Sequence, residues 1–288
     1  MSQNPSVAGR IQRTDPQNLP NHLGESTGLP GRASTPGPVV APTSAARPAD
    51  ITELRAPIRS SANLVFRKNQ ALMTWGEKVA FRKTFESLIE QGVLGERIQE
   101  YREHHQLHGT HRFLPWHRIF LSEFERDLQS INPKVTLPFW SWTTHQSVPE
   151  WLIDWKPEVS FLDSSEVVQV AREEGDSAKR LPSQAQIDAI RSRTTFEKFT
   201  SVEAGGLESR HVAVLQAVGG TMDSLFSAPA DPLFWLHMAE VDRIWNEWQF
   251  SNVGLDPTLS GNAALMTPWK VSESETRSIR AMGYDYTI

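Results

Sequence analysis

The 288-residue sequence contains no cysteine at all. That excludes disulfides, thiolate metal ligands and cysteine nucleophiles, and it fits a reducing compartment. Long apolar runs are missing as well, since no stretch approaches the ~20 residues that a membrane span needs. The N-terminal MSQNPSVAGR lacks the apolar segment of a secretory signal. The expectation is an intracellular, cytoplasmic protein with no membrane association. Positive charge is neither abundant nor gathered: 29 Lys and Arg stand against 34 Asp and Glu, for a net −5. Nucleic acid is therefore not an expected partner. Any metal must be held by histidine and carboxylate.

Aromatic residues are plentiful, with 10 Trp and 13 Phe, enough for a sizeable core. They begin late in the chain. Residues 1–57 carry nine of the 19 prolines among Gly, Ser, Ala and Asn. Such a composition buries too little apolar surface to offset chain entropy, so this segment reads as a disordered or surface-draped tail. Residues 58–288 read as one metal-binding domain. Apolar spacing predicts helices over 76–91, 95–107 and 116–131, short helices near 164–174 and 183–192, and two more in LESRHVAVLQAV and PLFWLHMAEVDRIWNEWQF. NPKVTLPFWSW is Pro-bounded and extended. Strand signals are few, and the fold class is mainly α.

Nine histidines are present, and five fall within 14 residues: His104, His105, His108, His111 and His117. On a helix over 95–107, His104 and a following His108 would share one face at i, i+4, a common metal-binding spacing. His117 follows the bulky FLPW at the start of a helix, where a buried imidazole needs a partner for its nitrogens. Together these point to a metal centre.

HGTHRFLPWHRIFLSEFERDLQ, residues 108–129, resembles the first metal-binding region of the tyrosinase, catechol oxidase and haemocyanin family. LPFWSWT (137–143) resembles its LPYWDWT stretch, and DPLFWLHMAEVDRIWNEWQ (231–249) its DPxFWLHHAxVDRLWxxWQ signature. The resemblance spans residues 62–250. It implies an antiparallel four-helix bundle with long irregular loops, in which each helix pair gives three histidines to one of two coppers. His117 and His108 take two ligand positions of site A, and His104, with His105 as alternate, the third. Site B departs from the pattern. His211 fills its first position, Leu215 and Met238 replace the other two ligands, and His237 matches a neighbouring histidine that is not a ligand.

The expectation is one metal ion per chain on His104, His108 and His117, with zinc favoured over copper. The carboxylates nominated for proton transfer are Glu203, Glu208 and Glu240, the last placed to face the vacated site. Leu215, Met238 and aromatic side chains are expected to line that space and to receive a small aromatic substrate. With its second site dismantled, the chain resembles the fungal cyclopenase type of one-zinc relatives, and that resemblance implies the leading functional expectation: a lyase converting a benzodiazepinedione epoxide to a quinolone in alkaloid biosynthesis. The alternatives are a mononuclear copper oxidase of aminophenols or other aromatics, and a non-catalytic binding or chaperone-like relative.

Overall fold

The computed structural model describes residues 64–161, 165–173 and 181–287. The Pro-rich segment 1–57 lies outside the described residues. Two long helices form the frame. Helix α1, Trp75–Glu90, starts at a capping box in which Thr74 and Glu77 satisfy each other's backbone N–H. Gly92, at φ 76°, makes the turn into α2, Val93–Glu103. A 3-10 turn, His105–Leu107, then leads to α3, Phe113–Ile131. Helix α3 buries thirteen of its nineteen residues and packs on α1.

The chain then runs without regular structure through Trp140 and Trp142, as its prolines predict, to the short helix α4, Glu150–Ile153. The expected helix near 164–174 is absent among the described residues there. Val167–Gln169 is instead a strand, antiparallel to Glu158–Ser160, because its β-branched pair Val167–Val168 suits a ladder better than a helix. Helices α5 (Gln184–Arg191) and α6 (Phe196–Thr200) precede α7, Leu207–Val218. Gly206 caps α7 and is required there. A Cβ on it would lie 2.5 Å from the Phe199 carbonyl oxygen, so only glycine lets α6 and α7 approach this closely. Helix α8, Pro232–Ser251, starts on the Asp231 side chain and packs against α3 and α7. The fold is mainly helical, a helix bundle with long connections.

The interior is aromatic. Trp235 of α8 stacks on Phe124 of α3 at 3.6 Å between centroids and meets Phe120 in a tilted contact at 4.9 Å, pairs that contribute about 0.5–1.5 kcal/mol beyond area burial. One buried polar knot crosses this core. Asp242 accepts from Arg118 Nε at 2.5 Å and from the hydroxyls of Tyr284 and Tyr286 at 2.6 Å each, with Arg67 at 3.5 Å. Arg67 in turn reaches Glu125 at 3.0 Å. The knot joins α3 and α8 to the parallel pair of β-strands Val65–Arg67 and Tyr284–Tyr286, one from each end of the domain.

Burial pushes the Asp242 carboxyl up, but the Arg118 and Arg67 guanidiniums and the two tyrosine hydroxyls outweigh it and hold it below its usual value. A depressed folded-state pKa stabilises the fold above the unfolded value of about 3.9 and is lost as pH falls through the lower folded value. Asp242→Asn leaves two buried guanidiniums short of a counter-charge and should cost about 3–5 kcal/mol. Glu77→Gln, at the half-exposed Lys68 pair, should cost under about 1 kcal/mol. Urea midpoints measured from neutral pH to below pH 4 check both, and the variant should lose the wild type's Asp242-dependent fall in acid.

Candidate metal centre

Histidine side chains become metal ligands when one nitrogen gives its proton to a fixed acceptor and the other keeps a free lone pair. Two imidazoles here are prepared in this way. His117, one turn into α3, directs Nδ1 at the Phe113 carbonyl oxygen at 2.8 Å. His108, in the turn before α3, directs Nδ1 at the His105 carbonyl oxygen at 3.0 Å. A carbonyl only accepts, so in both rings the proton sits on Nδ1 and Nε2 bears the lone pair. The His117 Nε2 is buried with no partner. His108 Nε2 has only the Tyr101 hydroxyl, at a long 3.4 Å. The two rings lie 5.1 Å apart.

The third imidazole comes from the other half of the bundle. His211 of α7 stacks 5.9 Å from His108 and lies 6.4 Å from His117. Its Nδ1 is 2.9 Å from Nε2 of His237 on α8, and its own Nε2 is buried and unpartnered. With the shared proton on His211 Nδ1, His237 accepts, and His211 Nε2 keeps its lone pair. Burial lowers the pKa of all four imidazoles, that of His237 to about 3. Each is neutral at ordinary pH, the form that binds metal.

Three imidazoles on one ion, with bonds of about 2.1 Å, set their ring centroids roughly 5 Å apart. The His108–His117 pair already meets this spacing. His211 stands about 1–1.5 Å beyond it, and among the described residues no three His, Asp or Glu side chains are grouped closely enough to hold a metal ion. The chemistry of the donor set, neutral imidazoles with unpartnered nitrogens, fits a metal.

His104 is not part of this cluster. Helix α2 ends at Glu103, so His104 is its cap and His108 lies beyond a 3-10 turn. The two histidines do not share a helical face. The His104 ring stacks on Trp116 at 5.3 Å, with Nδ1 on the Glu100 carbonyl. His105 is exposed, against Phe226. The residue by which α2 reaches the site is Tyr101, fully buried against His108, His117 and Phe234.

A cleft of about 660 Å³ opens onto His108 and His211 and is walled on its apolar side by Val212 and Leu215. Aromatic side chains, expected as its lining, are absent from its walls; Met238 is buried in α8 and does not reach it. Glu203 and Glu208 both line it. Glu203 is exposed at the rim. Glu208 is buried in the first turn of α7 and accepts from the Gly109 N–H at 2.6 Å, bracing the loop that carries His108. Burial raises its carboxyl to about 7, against the lowering effect of that hydrogen bond. Glu240 does not face the cleft. Its carboxylate is forked by Arg243 at 2.7 and 2.9 Å and buried, because the next turn of α8 supplies the cation at i+3. Tyr101, and the cleft carboxylates Glu197 and Asp223, were not visible as site residues in the sequence, where no spacing singles them out.

Residues 82–169 and 156–251 match the common central domain of tyrosinase. The tyrosinase of Streptomyces lincolnensis is 31% identical over 232 residues, spanning 65% of this chain and 83% of that protein. The tyrosinase of Streptomyces antibioticus is 29% identical over 258 residues, 74% of this chain and 92% of its own length. A functional unit of octopus haemocyanin superimposes with a TM-score of 0.63 at 22% identity, covering 77% of this chain and 68% of that one, which is a likeness of fold.

Metal binding separates the two ligand sets. His211→Ala and His117→Ala should each abolish tight binding of one metal ion per chain, whereas His104→Ala should leave it within about twofold. His237→Phe, which removes the acceptor of the His211 proton, should weaken it about 10–100-fold. Equilibrium dialysis with elemental analysis checks all four.

Proposed function

This chain belongs to the tyrosinase family, and on that premise we propose that it holds a single copper ion on His108, His117 and His211 and oxidises a small aromatic molecule, an aminophenol or a related phenol, in the adjoining cleft. The observation that carries the reading is the convergence of three neutral imidazoles, two of them with buried Nε2 atoms that no protein group satisfies. An unpaired buried polar atom is costly, and two of them on neighbouring imidazoles favour a bound ion. All-imidazole donors favour copper over zinc in intrinsic affinity, and the matched relatives are tyrosinases.

The two-metal arrangement of the family is not supported by the residues at hand. Leu215 and Met238 offer no imidazole where two are needed, and Tyr101 occupies the α2 approach to His108 and His117. Copper, when bound, supplies a one-electron couple and an open position for an aromatic oxygen or nitrogen. The protein provides the rest. Val212 and Leu215 give a flat apolar wall for a ring. Glu208, held near neutrality, accepts the proton that a phenol or amine releases as it is oxidised. The substrate loses two electrons and two protons; dioxygen takes up both and leaves as hydrogen peroxide.

The zinc-dependent lyase of cyclopenase type is the second reading, favoured by the lost site B ligands; it needs no oxygen. Protein loaded separately with copper and with zinc distinguishes the two in an oxygen electrode with 2-aminophenol and catechol. Copper-loaded protein should consume oxygen and release peroxide, His117→Ala should not, and Glu208→Gln should lower turnover by about 10²–10⁴-fold. No oxygen uptake with copper, beside oxygen-independent conversion of an aromatic epoxide with zinc, would replace the oxidase by the lyase.

A further inference from the structure

The cleft beside the imidazoles carries charge of one sign. Glu197, Glu203, Glu208 and Asp223 all contribute to its walls, and its lining contains no Lys or Arg. Glu208 lies inside, buried; the other three are exposed at the mouth. Among the described residues none of those three mouth carboxylates forms an ion pair, although Arg191, Arg193 and Lys198 belong to the same stretch of chain. Arg191 is taken by Asp188 and Glu247, and Arg193 by the carbonyls of Lys198 and Ala204. Acidic groups alone do not define a ligand. Here they surround a cavity whose inner end presents His211, fully buried and with an unpartnered Nε2.

We infer that the aromatic substrate carries a protonated amine on a short side chain, an arylalkylammonium. The inference rests on the cleft being the substrate site, and it names which aromatics that site prefers. The ring lies between the imidazole end and the Val212–Leu215 wall. The ammonium points outward, toward Glu197, Glu203 and Asp223, while a carboxylate in its place meets three like charges. Like-charge juxtaposition rejects ligands as effectively as attraction selects them. Exposed charges act through solvent, so the preference weakens as added salt shortens the Debye length.

Three catechols of similar size isolate side-chain charge: dopamine (cationic), 4-methylcatechol (neutral) and 3-(3,4-dihydroxyphenyl)propionate (anionic). Their binding to the full-length chain, with and without metal, is measured by calorimetry at low and high ionic strength. Dopamine should bind about tenfold more tightly than the propionate at low salt, with 4-methylcatechol between them. The gap should narrow at high salt and fall below about threefold in Glu197→Gln/Asp223→Asn. Equal affinity for the three, tighter binding of the propionate, or a gap untouched by salt and by the double variant overturns the charge preference while leaving the cleft as the aromatic site. Failure of all three to bind overturns the preference and the cleft assignment together.

Discussion

A buried imidazole whose Nδ1 proton rests on a backbone carbonyl has one nitrogen left and one direction in which to use it. His117 on Phe113 and His108 on His105 are both fixed in this way, and the metal centre follows from those two hydrogen bonds. The i−4 carbonyl that receives the His117 proton exists because α3 is already helical at Phe113. The i−3 carbonyl that receives the His108 proton exists because the chain leaves α2 through a 3-10 turn. Local backbone conformation, and not the histidines alone, thus decides where the lone pairs point. His211 joins them only because α7 packs on α8, where His237 Nε2 lies 2.9 Å from its Nδ1.

The frame that holds these elements pairs its buried charges among themselves. Asp242, Arg118, Arg67 and Glu125 form a closed polar network behind α3 and α8, and Asp231 anchors Arg172 at the start of α8. Glu240 is likewise spent on Arg243. Such pairs contribute to a unique arrangement more than to net stability. The carboxylates left for chemistry and recognition are those along the α6–α7 side of the cleft, where no arginine reaches them.

Much of the fold was legible in the sequence. WHRIFLSEFERDLQSI and PLFWLHMAEVDRIWNEWQF carry helical periodicity strong enough to place α3 and α8 within three residues. The region near 164–174 was not legible, since a short β-branched pair among polar residues is decided by the partner strand. At the site, residue type pointed to metal and to a second half stripped at Leu215 and Met238, yet the ligand set did not follow from spacing. His104 and His108 stand four apart, but the helix stops between them, a boundary of the kind that sequence places least sharply. His211 and His117 are brought together from opposite halves of the bundle by tertiary packing that no local pattern encodes. Tyr101, fully buried beside both, illustrates the same limit.

The central claim is that one ion draws its ligands from both halves of a family fold that elsewhere divides them between two. Anomalous diffraction from crystals soaked in copper tests it most directly. The account predicts a single copper peak within about 2–2.3 Å of the Nε2 atoms of His108, His117 and His211. Two peaks, or one peak bound to His104 or His105 with no bond to His211 Nε2, would contradict it.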